Sequence, residues 1–243
     1  MARHYVPFER VEIFVSEVSD GNMDFRFDTF DDVLEARKKL FTGFDVKMED
    51  TVVMKVEHGV RIVEMSEKEK GLGMVADDGV SCDALVTTQR SICLGLLTAD
   101  CFPVVIVDES IGGVALVHCG WQSCDKGIVK KVIELMREKF GCDSPTLKVW
   151  IGPGIGKNSY VVEEVKQKNQ DWKGLIEISG VGSFKLDLLS LIKKQLVDQG
   201  VMQKNIRETK IDTYKDLYFF SHVRARQKEM REGRFLTMVR VLY

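Results

Sequence analysis

The chain of 243 residues holds only four histidines and four prolines. Its six cysteines, at positions 82, 93, 101, 119, 124 and 142, include no C-x-x-C pair. That usage does not suggest a disulfide framework, and some of the thiols are expected to be core residues. With so little proline, no Pro- or Ser-rich linker and no internal repeat, one domain over residues 1–243 is expected. The N-terminal M-A-R-H-Y-V-P-F-E-R lacks the 7–15-residue apolar core of a secretory signal, and no apolar run approaches membrane-spanning length. A cytoplasmic location away from the membrane follows as the expectation. A basic excess is missing too: 35 Lys and Arg stand against 37 Asp and Glu, a net charge of −2. The two signs are interspersed, so nucleic acid is not an expected partner.

What is present suits a water-soluble globular chain, with 44% hydrophobic and 30% charged residues. At this length roughly 70–75% of the unfolded surface can be buried without covalent staples. Apolar alternation predicts strands at 11–15 and 23–27 around the turn Ser19-Asp20-Gly21-Asn22, and a second pair at 51–55 and 60–65. Further apolar runs occupy 81–88, 92–97, 103–107 and 114–117, with strands also at 147–151, 184–186 and 234–242. Helical stripes predict helices at 31–41, 125–140 and from Leu188 to Gly200, with a fourth starting near Ser159. Thr29 or Asp31 caps the first, Asp187 caps the third, and Gly43, Gly141 and Gly200 end them. The G-P-G-I-G loop after 147–151 lacks the G-x-G-x-x-G spacing of a dinucleotide fold and is read as a structural loop.

The stretch from Thr98 to Gln122 concentrates the chemistry. Cys101 precedes one doubly apolar run and His118 follows the next, with the hairpin loop Glu109-Ser110-Ile111-Gly112-Gly113 between them. If the runs pair antiparallel, the thiol and the imidazole meet. Three readings remain open for such a pair: a metal site, a nucleophile with its base, or a buried cysteine beside a hydrogen-bonded histidine. His58, in the turn Glu57-His58-Gly59, supplies a second imidazole. Two imidazoles and one thiolate match a catalytic zinc with a fourth position for water. A single copper is chemically allowed, whereas the clustered coppers of a multicopper oxidase need many more histidines than four and some H-x-H pairs. Asp83 and Asp100 open or precede neighbouring runs, where either can orient a metal-bound histidine.

The blocks V-E-H-G, D-A-L-V-T, T-A-D-C-F-P-V, H-C-G-W, I-G-P-G-I, F-K-L-D-L-L, Q-L-V-D-Q-G-V and the closing F-F-S…R…G-R resemble the laccase-domain family, also described as the polyphenol-oxidase-like or YfiH-like purine nucleoside phosphorylases. They cover nearly the whole chain in order. The resemblance implies an α+β fold, a single domain of layered mixed β-sheets flanked by helices. It implies a zinc enzyme whose ligands fall on His58, Cys101 and His118, and an activity on purine nucleosides: phosphorolysis of adenosine, inosine or methylthioadenosine, or deamination of adenosine. Catalytic roles then fall to Cys101, His118 and Asp83, the last as general base or as orienting partner, and substrate contacts to Trp121, Gln122 and Arg224. Amide hydrolysis of peptidoglycan precursors, by the same metal or by a Cys101/His118 dyad, is the alternative. Four positions depart from the family pattern: Glu57 replaces a glutamine, Gln122 an arginine suited to phosphate, Gly154 a cysteine, and His222-Val223-Arg224 stands for an aromatic-Arg-Arg triplet.

Overall fold

The structure, a computed structural model, describes residues 2–242. In chain order its strands and helices are β1 (Arg3–Phe8), β2 (Val11–Val15), α1 (Phe30–Thr42), β3 (Thr51–Val56), β4 (Ile62–Glu64), β5 (Val80–Cys82), β6 (Ala84–Thr87), β7 (Cys93–Thr98), β8 (Phe102–Asp108), β9 (Gly113–Cys119), α2 (Trp121–Asp125), α3 (Ile128–Phe140), β10 (Lys148–Ile151), β11 (Val161–Val162), β12 (Ile176–Gly180), β13 (Ser183–Leu186), α4 (Leu188–Asp198), β14 (Ile206–Glu208), α5 (His222–Lys228) and β15 (Phe235–Val241). Two six-stranded mixed sheets, β1-β2-β15-β7-β3-β5 and β14-β10-β8-β9-β6-β4, lie face to face, with a small three-stranded sheet, β11-β13-β12, beside them.

Alternation along β8 and β9 shows how the layers form. Val105, Val107, Val114 and Leu116 point into the core between the sheets, where they meet Ile13, Val52, Leu94, Leu96 and Phe235. Their neighbours Val104, Ile106, Ala115 and Val117 point the other way, against Val132, Ile133 and Met136 of α3 and Leu191 and Ile192 of α4. Strands clothed on both faces read as continuous apolar runs, and these do. On the far side of the first sheet, Leu40 and Phe41 of α1 pack on Phe14, Val53 and Leu236. The α+β class with layered mixed sheets and flanking helices is therefore the observed one.

Several boundaries differ from the expectations. Residues 23–27 form no strand; β2 pairs instead with β1, Arg3 lying opposite Val15. The N-terminal strand was hidden by Pro7, which an edge strand tolerates because no neighbour needs its missing N–H. Residues 51–56 and 62–64 lie in separate sheets rather than forming a pair, and the run 81–88 divides at Asp83 between the two sheets. The helix expected near Ser159 is absent, replaced by the two-residue β11. The helix expected over 125–140 breaks at Gly127, whose φ of 77° is left-handed. The capping residues Thr29 and Asp187 each accept the expected hydrogen bond, from Asp32 N and Ser190 N.

One buried cation ties the layers to the loops. Arg37 of α1 is about 1% exposed and donates to the carbonyl oxygens of Met23, Gly73 and Met74. Burial pulls its guanidinium down to about 10. Replacing it with methionine leaves three sealed carbonyls without donors, so Arg37→Met is expected to cost roughly 3 kcal/mol or more. Urea unfolding of the variant checks this.

Candidate active site

The chain crosses between the two large sheets three times at one end, from β3 to β4, from β5 to β6 and from β7 to β8. The crossings carry His58, Asp83 and Cys101, and β9 brings His118 to the same end. Pro103 faces His118 and Phe102 faces Cys119 in the β8–β9 ladder, so Cys101 lies just past the paired residues, beside His118. Two non-glycine residues on the crossings have left-handed backbones, His58 with φ 58° and Asp100 with φ 85°. Such strain at two neighbouring loops marks a place where side-chain direction outweighs backbone comfort.

One ligand atom each from His58, Cys101 and His118 lies within 4.8 Å of the others. The two imidazoles meet edge to face, with ring centroids 5.0 Å apart. A Cβ added at Gly120 would sit 3.0 Å from Cys101 Sγ and 3.3 Å from His118 Nε2, so this glycine leaves room for the two side chains to converge. His118 is buried, Cys101 half-buried and His58 exposed.

Asp83 organises all of this from behind. It is wholly buried. Its Oδ1 lies 2.9 Å from His118 Nδ1 and accepts from Ser123 Oγ at 3.2 Å, while Oδ2 accepts from Gly59 N at 2.7 Å. The carboxylate thus fixes the ring of His118, turns its Nε2 toward the sulfur, and anchors the turn that holds His58. Burial opposes ionisation of Asp83, but the hydrogen bonds from His118, Gly59 and Ser123 hold its pKa below the usual carboxylate value. Because its oxygens are committed and it does not line the cavity, Asp83 reaches the reaction through His118. Of the two roles expected for it, this placement suits the orienting one.

Burial would raise the Cys101 thiol, yet the charge of His118 and hydrogen bonds from His118 and His58 outweigh it and bring the thiol down to about 6. For His118, burial disfavours the cation, but the facing sulfur and Asp83 raise its pKa.

These groups open into a cavity of about 380 Å³. Trp121 and Gln122 line it. Arg224 does not. Its Nη1 and Nη2 donate to the carbonyls of Thr213, Tyr214, Asp216 and Phe219, a buried backbone set away from the cavity where the substrate contact was expected. Asp100 lines the cavity with both oxygens engaged, Oδ1 by Thr213 Oγ1 and Oδ2 by Val223 N, which pins the tail to the β7–β8 crossing. Sequence reasoning missed Arg26, Tyr160 and Arg234 on the cavity wall. The closing G-R block carried the only hint, for Arg234.

Gly154 is not part of the cavity wall. A Cβ there would come within 2.3 Å of the Phe102 ring. A cysteine at this position would therefore meet Phe102 and not the ligand cluster, so the glycine does not subtract a soft ligand. Gly154→Cys is expected to cost about 1–3 kcal/mol through overpacking, measured as a lower unfolding midpoint.

The chain can be set beside known proteins. A family model described as multi-copper polyphenol oxidoreductase laccase matches residues 14–242. An enzyme named adenosine deaminase RL5, from an unknown prokaryotic organism, is 31% identical over 216 residues, 84% of this chain and 80% of the relative. A protein named purine nucleoside phosphorylase SERP0752, from Staphylococcus epidermidis, is 31% identical over 75% of this chain and 69% of its own length. The crystal structure of YlmD from Geobacillus stearothermophilus superposes with a TM-score of 0.88 at 25% identity, covering 98% of this chain and 94% of that one. YfiH from Bacillus licheniformis shares the fold with a TM-score of 0.85 at 23% identity, over 96% and 93% of the two chains. By the extent of the match and the fold it carries, the chain belongs to the laccase-domain family, which embraces proteins named as purine nucleoside phosphorylases together with YlmD and YfiH.

Proposed function

We propose that this protein is a zinc-dependent purine nucleoside enzyme of the cytoplasm, and that its main reaction is phosphorolysis of adenosine, inosine or methylthioadenosine. The observation that carries the reading is the convergence of His58, Cys101 and His118 within 4.8 Å at the wall of a cavity of about 380 Å³. The donor set fits zinc: two imidazoles, a thiol already inclined to ionise, and a carboxylate holding the far nitrogen of His118. Zinc held there supplies a Lewis acid and an acidified solvent ligand. The volume is at the lower end of small-molecule sites. Trp121 offers a face for a purine and Gln122 an amide for its edge.

The charged groups that reach the cavity bear on the acceptor. A water-accepting deamination of adenosine needs a carboxylate to shuttle protons. Among the described residues the one acid on the cavity wall is Asp100, and both of its oxygens are engaged. Two arginines, Arg26 and Arg234, do line the wall, which favours an anionic acceptor over water. Metal analysis run alongside adenosine and inosine turnover, with and without phosphate, tests this. Ribose 1-phosphate is the expected product; inosine formed from adenosine without phosphate would mean deamination.

The lowered Cys101 thiol favours a second reading, an amide hydrolase using Cys101 as nucleophile and His118 as base. Dyad chemistry survives zinc chelation and zinc chemistry does not, so activity in the presence of a chelator separates them.

A further inference from the structure

Arg26 and Arg234 line the cavity while Arg37 and Arg224 are buried off it, and the hydrogen bonding of the four sets one apart. Arg37 and Arg224 have their guanidinium groups committed to backbone carbonyls. Arg26 lies against Asp24, Nε and Nη2 both donating to the carboxylate. Arg234 is different. Its side chain is only 16% exposed, yet of five N–H donors it uses a single one within the protein, from Nη1 to Gly233 O at 2.8 Å. The nearest carboxylate, Glu232, is 3.7 Å from Nη1 and also faces His222 Nδ1 at 3.2 Å.

The backbone of Arg234 is held firmly. Its N–H donates to Asn22 Oδ1, its carbonyl accepts from Met23 N, and a Cβ at Gly233 would meet the Phe220 ring at 2.5 Å. The guanidinium lies over Phe27, 4.2 Å from the ring centroid, and Arg26 lies over the same ring at 5.6 Å. A part-buried cation with one internal side-chain hydrogen bond and one carboxylate at 3.7 Å, set on an aromatic platform and open to the cavity, has donors left for an anion.

We infer that Arg234, with Arg26 beside it, forms an oxyanion subsite that binds a phosphate group in the same cavity as the metal triad. The inference rests on the phosphorolytic reading and specifies its acceptor site. In the reaction, a phosphate oxygen bonds to C1′ of the ribose and the C1′–N9 bond breaks. Its electron pair leaves with the purine, which takes up the phosphate's proton. The products are the free base and ribose 1-phosphate. The same guanidinium chemistry would also accept the 5′-phosphate of a nucleotide, so the two sources are tested in parallel.

Binding of inorganic phosphate and of inosine 5′-monophosphate to the zinc-loaded protein is measured by calorimetry, for the wild type and for Arg234→Gln and Arg234→Lys. Thermal unfolding and zinc content serve as controls for folding. The expected result is phosphate binding weakened tenfold or more in Arg234→Gln and partly restored in Arg234→Lys, with a matching rise in the KM for phosphate. Phosphate binding that depends on Arg234 without any ribose 1-phosphate would uphold the subsite and remove the phosphorolytic reading. Equal affinity of wild type and Arg234→Gln for both ligands, or no binding of either by wild type, would overturn the inference; Arg234-dependent binding of the nucleotide alone would uphold the subsite and identify a nucleotide phosphate as its ligand.

Discussion

Cys101→Ala is expected to empty the metal site and to lower nucleoside turnover on the order of 10³-fold, since a metal's charge stabilisation is worth several kcal/mol. The thiol is the one sulfur donor in the cluster, and it comes from a crossing between sheets rather than from the central core. The fold should therefore persist while zinc content and kcat/KM fall together. His118→Ala should match it in activity but unfold more easily, because it also removes the imidazole partner of the buried Asp83 carboxylate and leaves only Gly59 and Ser123 to hold it. Zinc content, steady-state kinetics and urea midpoints on the two variants separate loss of the ligand from loss of the fold.

Asp83→Asn is the second large effect, and it follows from counting acceptors. Both carboxylate oxygens of Asp83 accept: Oδ1 faces His118 Nδ1 and Ser123, and Oδ2 faces the Gly59 N–H. An asparagine keeps the shape but must turn an NH₂ group toward one of those donors in either flip. One choice loosens the His118 ring, and the other loosens the turn that presents His58. Zinc affinity should fall about 10–100-fold, the range seen when the partner of a metal-binding imidazole is altered. A competitive chelator titration measures it, and an unchanged affinity would remove Asp83 from the site.

The central hairpin was legible in the sequence because its physics is local. Residues 103–107 and 114–117 read as doubly covered strands, the turn between them is short, and antiparallel pairing alone brings Cys101 to His118. The capped helices at Thr29 and Asp187 were legible for the same reason. What local pattern does not encode is which sheet a strand joins. Residues 51–56 and 62–64 look like a hairpin, yet the chain crosses between sheets at His58, and the run through Asp83 does the same. Those crossings are what make the site, and they follow from long-range packing of two apolar faces. Arg224 and Arg234 show the limit for charged residues. Both are arginines of the tail, and only the surroundings, backbone carbonyls for one and an open cavity for the other, tell a structural cation from a binding one. Gly154 stands where the family pattern has a cysteine, and only the structure shows that a side chain there would meet Phe102.

In the proposed enzyme one metal ion sits among His58, Cys101 and His118, which come from separate crossings and strands. X-ray absorption at the zinc edge, with metal content measured on the same sample, tests it most directly. The expected result is one zinc per chain with one sulfur at about 2.3 Å and two imidazole nitrogens at about 2.0–2.1 Å, the sulfur shell disappearing in Cys101→Ala. A wild-type spectrum without a sulfur shell, or a chain that binds no stoichiometric metal and still turns over nucleosides, would contradict it.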